Sequence, residues 1–199
     1  MKKNRMKLLV YKIILVLLII IAIFIGSLFL FKYYRNYKNE LKNQEIVELF
    51  YNDNKQEEIT MNGYKVIGIV SIPKLDIKYP ILDVETYNPK DAEKPMKFSI
   101  IKYWGANVND YGNLSIAGHN NYDGTMFSKL NKMDIGDIVE LTDLNNKTIE
   151  YKVYSKYNVD PNDVNILKTN DENFREVTLI TCSNYNKDRL IIKAQEDNI

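Results

Sequence analysis

The sequence has very few of the side chains that build disulfides and metal centres. Among its 199 residues there is one cysteine, Cys182, and one histidine, His119. A single cysteine excludes an internal disulfide and leaves a free thiol. One cysteine and one histidine also fall short of the four ligands of a structural zinc site. Any thiol or imidazole chemistry therefore depends on Cys182 and His119.

An excess of positive charge is lacking as well. Residues 63–199 carry 17 Lys plus Arg and 20 Asp plus Glu, which leaves a net charge of −3. Proteins that bind nucleic acid contact the phosphates with a basic surface. We therefore expect no nucleic-acid partner. The chain also contains no internal repeat and no low-complexity segment.

One long apolar run is present, at residues 13–31, and it contains no charged residue. At about 1.5 Å per residue a helix of this length spans close to 30 Å, the thickness of a bilayer core. Basic residues within 1–12 favour a cytoplasmic N-terminus, and no small-residue cleavage site follows the run. We expect a cytoplasmic tail at 1–12 and a transmembrane signal-anchor helix at 13–31. A buried core helix is the alternative, which the length and purity of the run disfavour.

The rest of the chain divides at residue 63. Residues 32–62 are polar, with a few apolar residues at loose helical spacing, and we expect a partly helical stalk that is not part of a core. From residue 63 onward, short apolar runs alternate with Gly, Pro, Asn and Asp. This pattern predicts a mainly β extracytoplasmic domain at 63–199, either a sandwich or a closed barrel. We place strands at 66–72, 77–82, 114–117, 138–141, 148–157, 177–182 and 189–194, and short helical turns at 126–130 and 165–167.

The last two predicted strands bring the lone thiol close to a cation. Turn-forming residues fill 183–188, so the two strands form an antiparallel hairpin. If the pairing continues to the loop, Cys182 lies opposite Arg189, with Cβ atoms roughly 4.5–5.5 Å apart. The thiol and the guanidinium then emerge together on the less buried face, and a slip of one residue would separate them. The same register pairs Ile180 with Ile191 and turns the remaining apolar residues to the other side: Val177, Leu179, Leu190, Ile192 and Ala194.

Three segments resemble a known family. Thr-Leu-Ile-Thr-Cys at 178–182 resembles the TLxTC signature of the sortases, the cell-wall transpeptidases of Gram-positive bacteria. Gly118-His119-Asn120 is similar to their catalytic-histidine segment, and Arg189 lies where the family has its arginine. Ile-Pro-Lys-Leu-Asp-Ile at 72–77 is similar to a segment near the start of sortase domains. The resemblance covers residues from about 66 to 195, which is most of the predicted extracytoplasmic part.

The resemblance implies an eight-stranded sortase-type β-barrel with short helices. It also implies cleavage of a C-terminal sorting signal of the LPxTG type between Thr and Gly. The acyl group then passes to an amine of a peptidoglycan precursor or of another protein. No long insertion precedes the cysteine strand, which disfavours class B, and no Asp-Pro-aromatic lid precedes the first strand, which disfavours a pilin polymerase of class C. Class A-like and class D-like enzymes both remain open.

Within this interpretation each rare side chain has a role. Cys182 is the nucleophile that forms a thioester, and His119 is the general acid and then the general base. Arg189 stabilises the thiolate and donates to the developing oxyanion. Each role has a plain alternative: an inert cysteine in a barrel wall, a surface or core histidine, and an arginine that is either a solvated charge or a salt-bridge partner of Asp188.

Further residues are assigned by their proximity to these three. Ala117 and Ile180 are expected to line a groove for the apolar part of the sorting signal, and Thr181 is a hydrogen-bonding candidate beside the nucleophile. Strand packing explains the same three residues equally well. Asp83 and Glu85 lie where some class A enzymes have an acidic calcium-binding loop. The wider ligand set that calcium needs is not evident, so no cofactor and no metal site are expected.

Other functions are compatible with part of the pattern. Papain-like cell-wall hydrolases have the cysteine before the histidine, and L,D-transpeptidases have the two close together. Here Cys182 follows His119 by 63 residues, which fits neither. A non-catalytic, membrane-tethered binding module, in which Cys182 is structural, stays open as the main alternative to a transpeptidase.

Overall fold

A computed structural model of the chain describes residues 2–52, 58–84, 89–168, 173–183 and 186–197. The backbone divides into two compact units, Met1–Leu41 and Lys42–Ile199. A single long helix, α1 (Lys2–Asn52), supplies the described part of the first unit and the beginning of the second.

The first unit is helical and apolar. The segment Leu9–Asn52 contains a window of mean hydropathy 3.4 in which no residue is buried. By length and composition this helix is able to cross a membrane. The limits of the tail, the membrane helix and the stalk stay predictions.

The second unit is mainly β, as predicted. Its described strands are β1 (Thr60–Met61), β2 (Tyr64–Ile72), β3 (Ile77–Leu82), β4 (Ile100–Gly105), β5 (Gly112–Ala117), β6 (Ile138–Asp143), β7 (Thr148–Val159), β8 (Arg175–Ser183) and β9 (Asp188–Glu196). Short helical segments connect them: α2 (Pro89–Met96) and the 3₁₀ helices Pro73–Leu75, Leu130–Lys132 and Asn165–Leu167.

The strands form one sheet that closes on itself. Its order is β1-β2-β3-β4-β5-β8-β9-β7-β6, and β2 also pairs with β6. Strands β2–β9 therefore make the closed eight-stranded barrel that the family resemblance implied, and β1 extends β2 as a two-residue hairpin strand. The pairs β3–β4 and β5–β8 are parallel. The β5–β8 pair matters most for the site because it joins strands that are far apart in the sequence.

Alternation along the strands divides the apolar residues into two clusters. One cluster fills the barrel and includes Leu179 and Ile192, both fully buried. The other lies on the outside of the barrel wall, where Ile180 and Ile191 pack with residues of α1 and α2. Period-two alternation of side chains explains why neighbours such as Leu179 and Ile180 belong to different clusters.

Residues 32–62 differ from the prediction, because part of the expected stalk is core. Ile46 and Phe50 of α1 are buried in the outer cluster. Asn43 Nδ2 donates to the Phe98 carbonyl at 3.0 Å, and the hydroxyls of Tyr51 and Thr142 are 3.1 Å apart. The polar composition of the segment concealed a narrow apolar side, which covers the barrel wall.

Local predictions were partly wrong as well. Strand β4 and helix α2 were not predicted, and the helical turn expected at 126–130 occurs instead at Leu130–Lys132. The turn at Asn165–Leu167 is confirmed. Strand β4 has only two fully buried residues, Ile100 and Ile101, so its apolar pattern is too short to distinguish it from a loop.

Candidate active site

Two strand pairings bring the predicted site residues to one end of the barrel. In the antiparallel β8–β9 hairpin, Cys182 lies opposite Arg189 and Ile180 opposite Ile191, as predicted. In the parallel β5–β8 pair, Ala117 lies beside Ile180. His119 comes two residues after Ala117, and Cys182 two residues after Ile180. The imidazole and the thiol therefore belong to segments that leave the sheet side by side.

Three hydrogen bonds hold these two segments in register beyond the end of β5. The Gly118 N–H donates to the Ile180 carbonyl at 3.1 Å, and the Thr181 hydroxyl donates to the Gly118 carbonyl at 2.8 Å. Asn120 Nδ2 donates to the carbonyl of Cys182 at 2.8 Å. The bonds flank both residues, so they hold the backbone at His119 next to the backbone at Cys182.

Gly118 is required by a close approach to the interior of the barrel. A Cβ atom at this position would lie 2.9 Å from Cδ2 of Phe127, a fully buried ring. The Phe127 N–H in turn donates to the His119 carbonyl at 3.1 Å. The chain therefore passes directly over the ring, and a larger residue would displace the segment that carries His119.

The two strand ends open into one cavity of about 360 Å³. All six residues predicted for the site line it: Ala117, His119, Ile180, Thr181, Cys182 and Arg189. Cys182, His119 and Arg189 are each partly exposed, so a substrate can reach them. Arg189 Nη1 donates to the carbonyl of Asp188 at 3.3 Å, which leaves other donors of its guanidinium for a ligand.

The face that carries the thiol is more buried than predicted. Ile180 is 7% exposed, and Ile191 and Thr178 are fully buried. Segments from elsewhere in the chain cover this side of the hairpin. The prediction of a less buried face is therefore wrong for the middle of the strands and applies only near their ends.

The cavity also has two walls that the sequence did not point to. Helix α2 contributes Ala92, Glu93 and Met96, and the segment between β7 and β8 contributes Ile166 and Leu167 among others. Weak signals were present: Ala92 and Met96 are four residues apart on a helix, and Ile166-Leu167 is an apolar pair in a polar loop. The sequence pointed to Asn120 only as part of a motif, although its side chain bonds to the Cys182 carbonyl.

Nothing in the described residues adds a metal to this site. No group of three or more His, Cys, Asp or Glu side chains within them could hold a metal ion. Asp83 directly follows β3, where its N–H donates to the Lys65 carbonyl at 2.8 Å. Glu85, the other residue considered for calcium, lies outside the described residues, and calcium dependence stays untested.

Comparison with known proteins identifies the family. The sortase domain model matches residues 70–197. Sortase A of Staphylococcus aureus is 30% identical over 155 residues, which are 75% of this chain and 72% of that protein. Sortase A of Bacillus anthracis is 26% identical over 191 residues, 87% of each chain.

The solved structures agree with the sequence matches. A Clostridium perfringens sortase D5 transpeptidase superposes with a TM-score of 0.63 at 25% identity, over 83% of this chain and 99% of that one. The barrel fold, the cavity that Cys182, His119 and Arg189 line together, and the family match over residues 70–197 lead to one conclusion. This chain belongs to the sortase family.

Proposed function

We propose that the protein is a cysteine transpeptidase that cleaves an LPxTG-like C-terminal sorting signal between Thr and Gly. The observation that carries the proposal is that Cys182, His119 and Arg189 line one solvent-accessible cavity. Their order along the chain resembles that of the sortase motifs, the chain belongs to the sortase family, and Cys182 lies opposite Arg189 in the β8–β9 hairpin.

The first half of the reaction forms a thioester. The thiolate of Cys182 attacks the carbonyl carbon of the substrate threonine, and the C–N bond to glycine breaks. His119 gives a proton to the departing glycine amine. Dividing amide exchange into two steps replaces one high barrier by two lower ones.

The second half transfers the acyl group. An acceptor amine attacks the thioester, His119 takes the proton from that amine, and the Cys182 thiolate leaves. The acceptor is an amine of a peptidoglycan precursor or of another protein. Water in place of the amine would give hydrolysis.

Arg189 is the group closest in register to the nucleophile. Its guanidinium is a fixed fork of N–H donors, which suits a developing oxyanion or the substrate backbone. Ala117 and Ile180 offer an apolar floor for the Leu-Pro part of the signal. The Thr181 hydroxyl donates to the Gly118 carbonyl, so we assign Thr181 to holding the histidine segment next to the nucleophile.

We infer that the protein is a single-pass membrane protein. The apolar part of α1 spans the membrane with its N-terminus in the cytoplasm, and the barrel is extracellular. Its partners are then surface proteins that carry a C-terminal sorting signal. The relatives are Sortase A enzymes, and the similar structures include sortases of classes A, C and D. The sequence has no Asp-Pro-aromatic lid before the first strand, and on that ground a class A-like or class D-like role is favoured over pilin polymerisation.

The test uses the full-length protein in detergent with a panel of LPxTG-like peptides and amines, followed by mass spectrometry. We expect Thr–Gly cleavage, a thioester adduct on Cys182 and an amide product with the acceptor. Cys182→Ala should abolish all three and leave the thermal unfolding temperature unchanged. Cleavage by this variant would remove Cys182 from the mechanism.

His119 and the non-catalytic alternative have their own measurements. In His119→Ala, we expect cleavage to lose the limb of its pH–rate profile that depends on the imidazole. An unchanged profile would exclude the acid–base role. A thiol-alkylating probe tests the binding-module alternative, because Cys182 that resists labelling without denaturant would be a structural residue.

A further inference from the structure

The outer face of the β8–β9 hairpin contains a buried ion pair that the proposed mechanism does not use. Lys193 Nζ lies 2.7 Å from Glu176 Oε1, and the two side chains are only 7% and 6% exposed. Removing two charges from water is costly, and the attraction between them compensates only with good geometry and further hydrogen bonds. The other hydrogen bonds made by this ion pair therefore indicate its role in the structure.

The ammonium group of Lys193 reaches the groove wall between β7 and β8. Nζ lies 3.4 Å from the carbonyl oxygen of Lys168, the residue that follows the 3₁₀ helix Asn165–Leu167. Carbonyls at the C-terminal end of a helix have no partner inside that helix.

Asn113 holds the two preceding carbonyls in the same way. Its Nδ2 lies 3.5 Å from the Ile166 carbonyl and 3.3 Å from the Leu167 carbonyl. The Thr178 hydroxyl donates to Asn113 Oδ1 at 2.9 Å, so the amide oxygen faces the sheet and the amide nitrogen faces the loop. Three successive carbonyls, at 166, 167 and 168, thus accept from buried donors of the barrel wall.

The held segment is part of the cavity. Ile166 and Leu167 line it together with Ala117 and Ile180, and Ile166 is only 7% exposed. The turns that precede these residues are held by local bonds, in which the N–H groups of Asn162 and Asn165 donate to the carboxylates of Asp160 and Asp163.

We propose that Glu176, Lys193, Asn113 and Thr178 are positioning residues that set the apolar wall of the groove before the peptide arrives. The proposal rests on the proposed function in one respect, namely that the sorting peptide binds in this groove. A preformed wall spares the peptide the entropic cost of ordering a loop. Its loss should therefore raise KM for the peptide and leave kcat nearly unchanged.

The main test is the double variant Glu176→Leu/Lys193→Met in the full-length protein. Removing both charges leaves no unpaired ion, and such replacements are often neutral or stabilising. We expect KM for the peptide to rise about tenfold, the equivalent of one hydrogen bond to a charged group. Amide hydrogen exchange within 160–168 should also become faster.

The matched control is Arg175→Met/Glu196→Leu. This pair joins the same two strands, with Arg175 Nη1 2.9 Å from Glu196 Oε2, and neither residue lines the cavity. We expect this variant to leave KM and exchange within 160–168 unchanged. An equal rise of KM in the control would overturn the proposal, because the effect would then be one of general destabilisation.

A second variant keeps the test valid if the double variant fails to fold. Thr178→Val removes only the hydroxyl that orients Asn113, and Thr178→Ser restores it. We expect a smaller rise of KM in Thr178→Val and its rescue in Thr178→Ser. Failure of the serine variant to restore KM would count against the hydrogen-bond chain.

Hydrogen exchange separates this proposal from the proposed function. If the wild-type protein cleaved no peptide, the proposed function would fail, and exchange within 160–168 would still show whether the wall is held by the buried pair. Unchanged exchange in Glu176→Leu/Lys193→Met would overturn the positioning role, whatever the peptide kinetics. Faster exchange without a rise of KM would overturn its connection to substrate.

Discussion

The two faces of strand β8 have the same backbone and different tasks. Val177 and Leu179 point into the barrel, where both are fully buried among apolar side chains. Thr178 and Ile180 point outward, and the same face ends at Cys182. The inner face is apolar at these positions, whereas the outer face combines buried polar groups, an apolar floor and the Cys182 thiol.

The difference shows where a barrel can place chemistry. The inner face is enclosed by the barrel itself and packs into an apolar core. The outer face is covered by separate segments, namely the end of α1, helix α2 and the 3₁₀ helix Asn165–Leu167. A cavity remains on this face next to α2 and the 3₁₀ helix, and the side chains of His119, Cys182 and Arg189 line it.

The largest expected effect is on the outer face. Arg189→Lys should lower kcat/KM about 10²- to 10³-fold, because an ammonium group cannot reproduce the donor fork beside the oxyanion. Steady-state cleavage of a sorting peptide measures it, with the thermal unfolding temperature as the control for folding. Retention of most of the activity would reduce Arg189 to a surface charge.

Neighbouring residues of β8 offer the most direct comparison of the faces. Leu179→Ala should lower the free energy of unfolding by about 2–5 kcal/mol, because it leaves an enclosed cavity. Ile180→Ala opens into the groove, so we expect a smaller loss of stability and a higher KM for the peptide. Urea denaturation and peptide kinetics of both variants measure this. Equal losses of stability in Leu179→Ala and Ile180→Ala would contradict the proposal that the inner face stabilises the fold and the outer face binds the peptide.

A smaller effect is expected where the two reactive segments are tied together. Asn120→Ala removes the bond to the Cys182 carbonyl, worth about 0.5–1.5 kcal/mol. We expect kcat to fall several-fold with KM unchanged. Asn121→Ala is the control, since Asn121 Nδ2 bonds to Thr125 Oγ1 at 2.9 Å and not to β8. Equal kinetics in the two variants would argue against a role for the Asn120–Cys182 hydrogen bond in catalysis.

The smallest effect lies at the turn before β6, away from the outer site. Burial opposes ionisation of Asp137, but hydrogen bonds from Lys74 and from the Asp134 N–H outweigh it and lower the pKa of Asp137. A lowered pKa stabilises the fold above the unfolded-state pKa of about 4. This contribution is lost as the pH falls through the folded-state pKa.

The corresponding experiment compares wild type with Asp137→Asn by thermal unfolding. We expect the wild type to be slightly more stable near neutral pH and the difference to shrink below about pH 4. A difference that stays constant on acidification would mean that the carboxylate charge contributes nothing. The effect should be small because Lys74 is exposed to solvent.

The hairpin was the easiest part to predict. Turn residues at 183–188 and period-two alternation set the register, so the pairing of Cys182 with Arg189 followed from local pattern alone. The covers of the outer face were not predictable in the same way. Ile46 and Phe50 belong to a polar segment, and their burial depends on a barrel wall formed by distant residues.

The sequence by itself determined the apolar N-terminal helix, the alternation that divides β8 into two faces, and the rare side chains that carry the motifs. These features depend on residues close together in the chain. The tertiary structure decided that β5 runs parallel beside β8, which brings His119 and Cys182 together across 63 residues. It also decided which segments cover the outer face, because a cavity exists only where packed elements from different parts of the chain leave space between them.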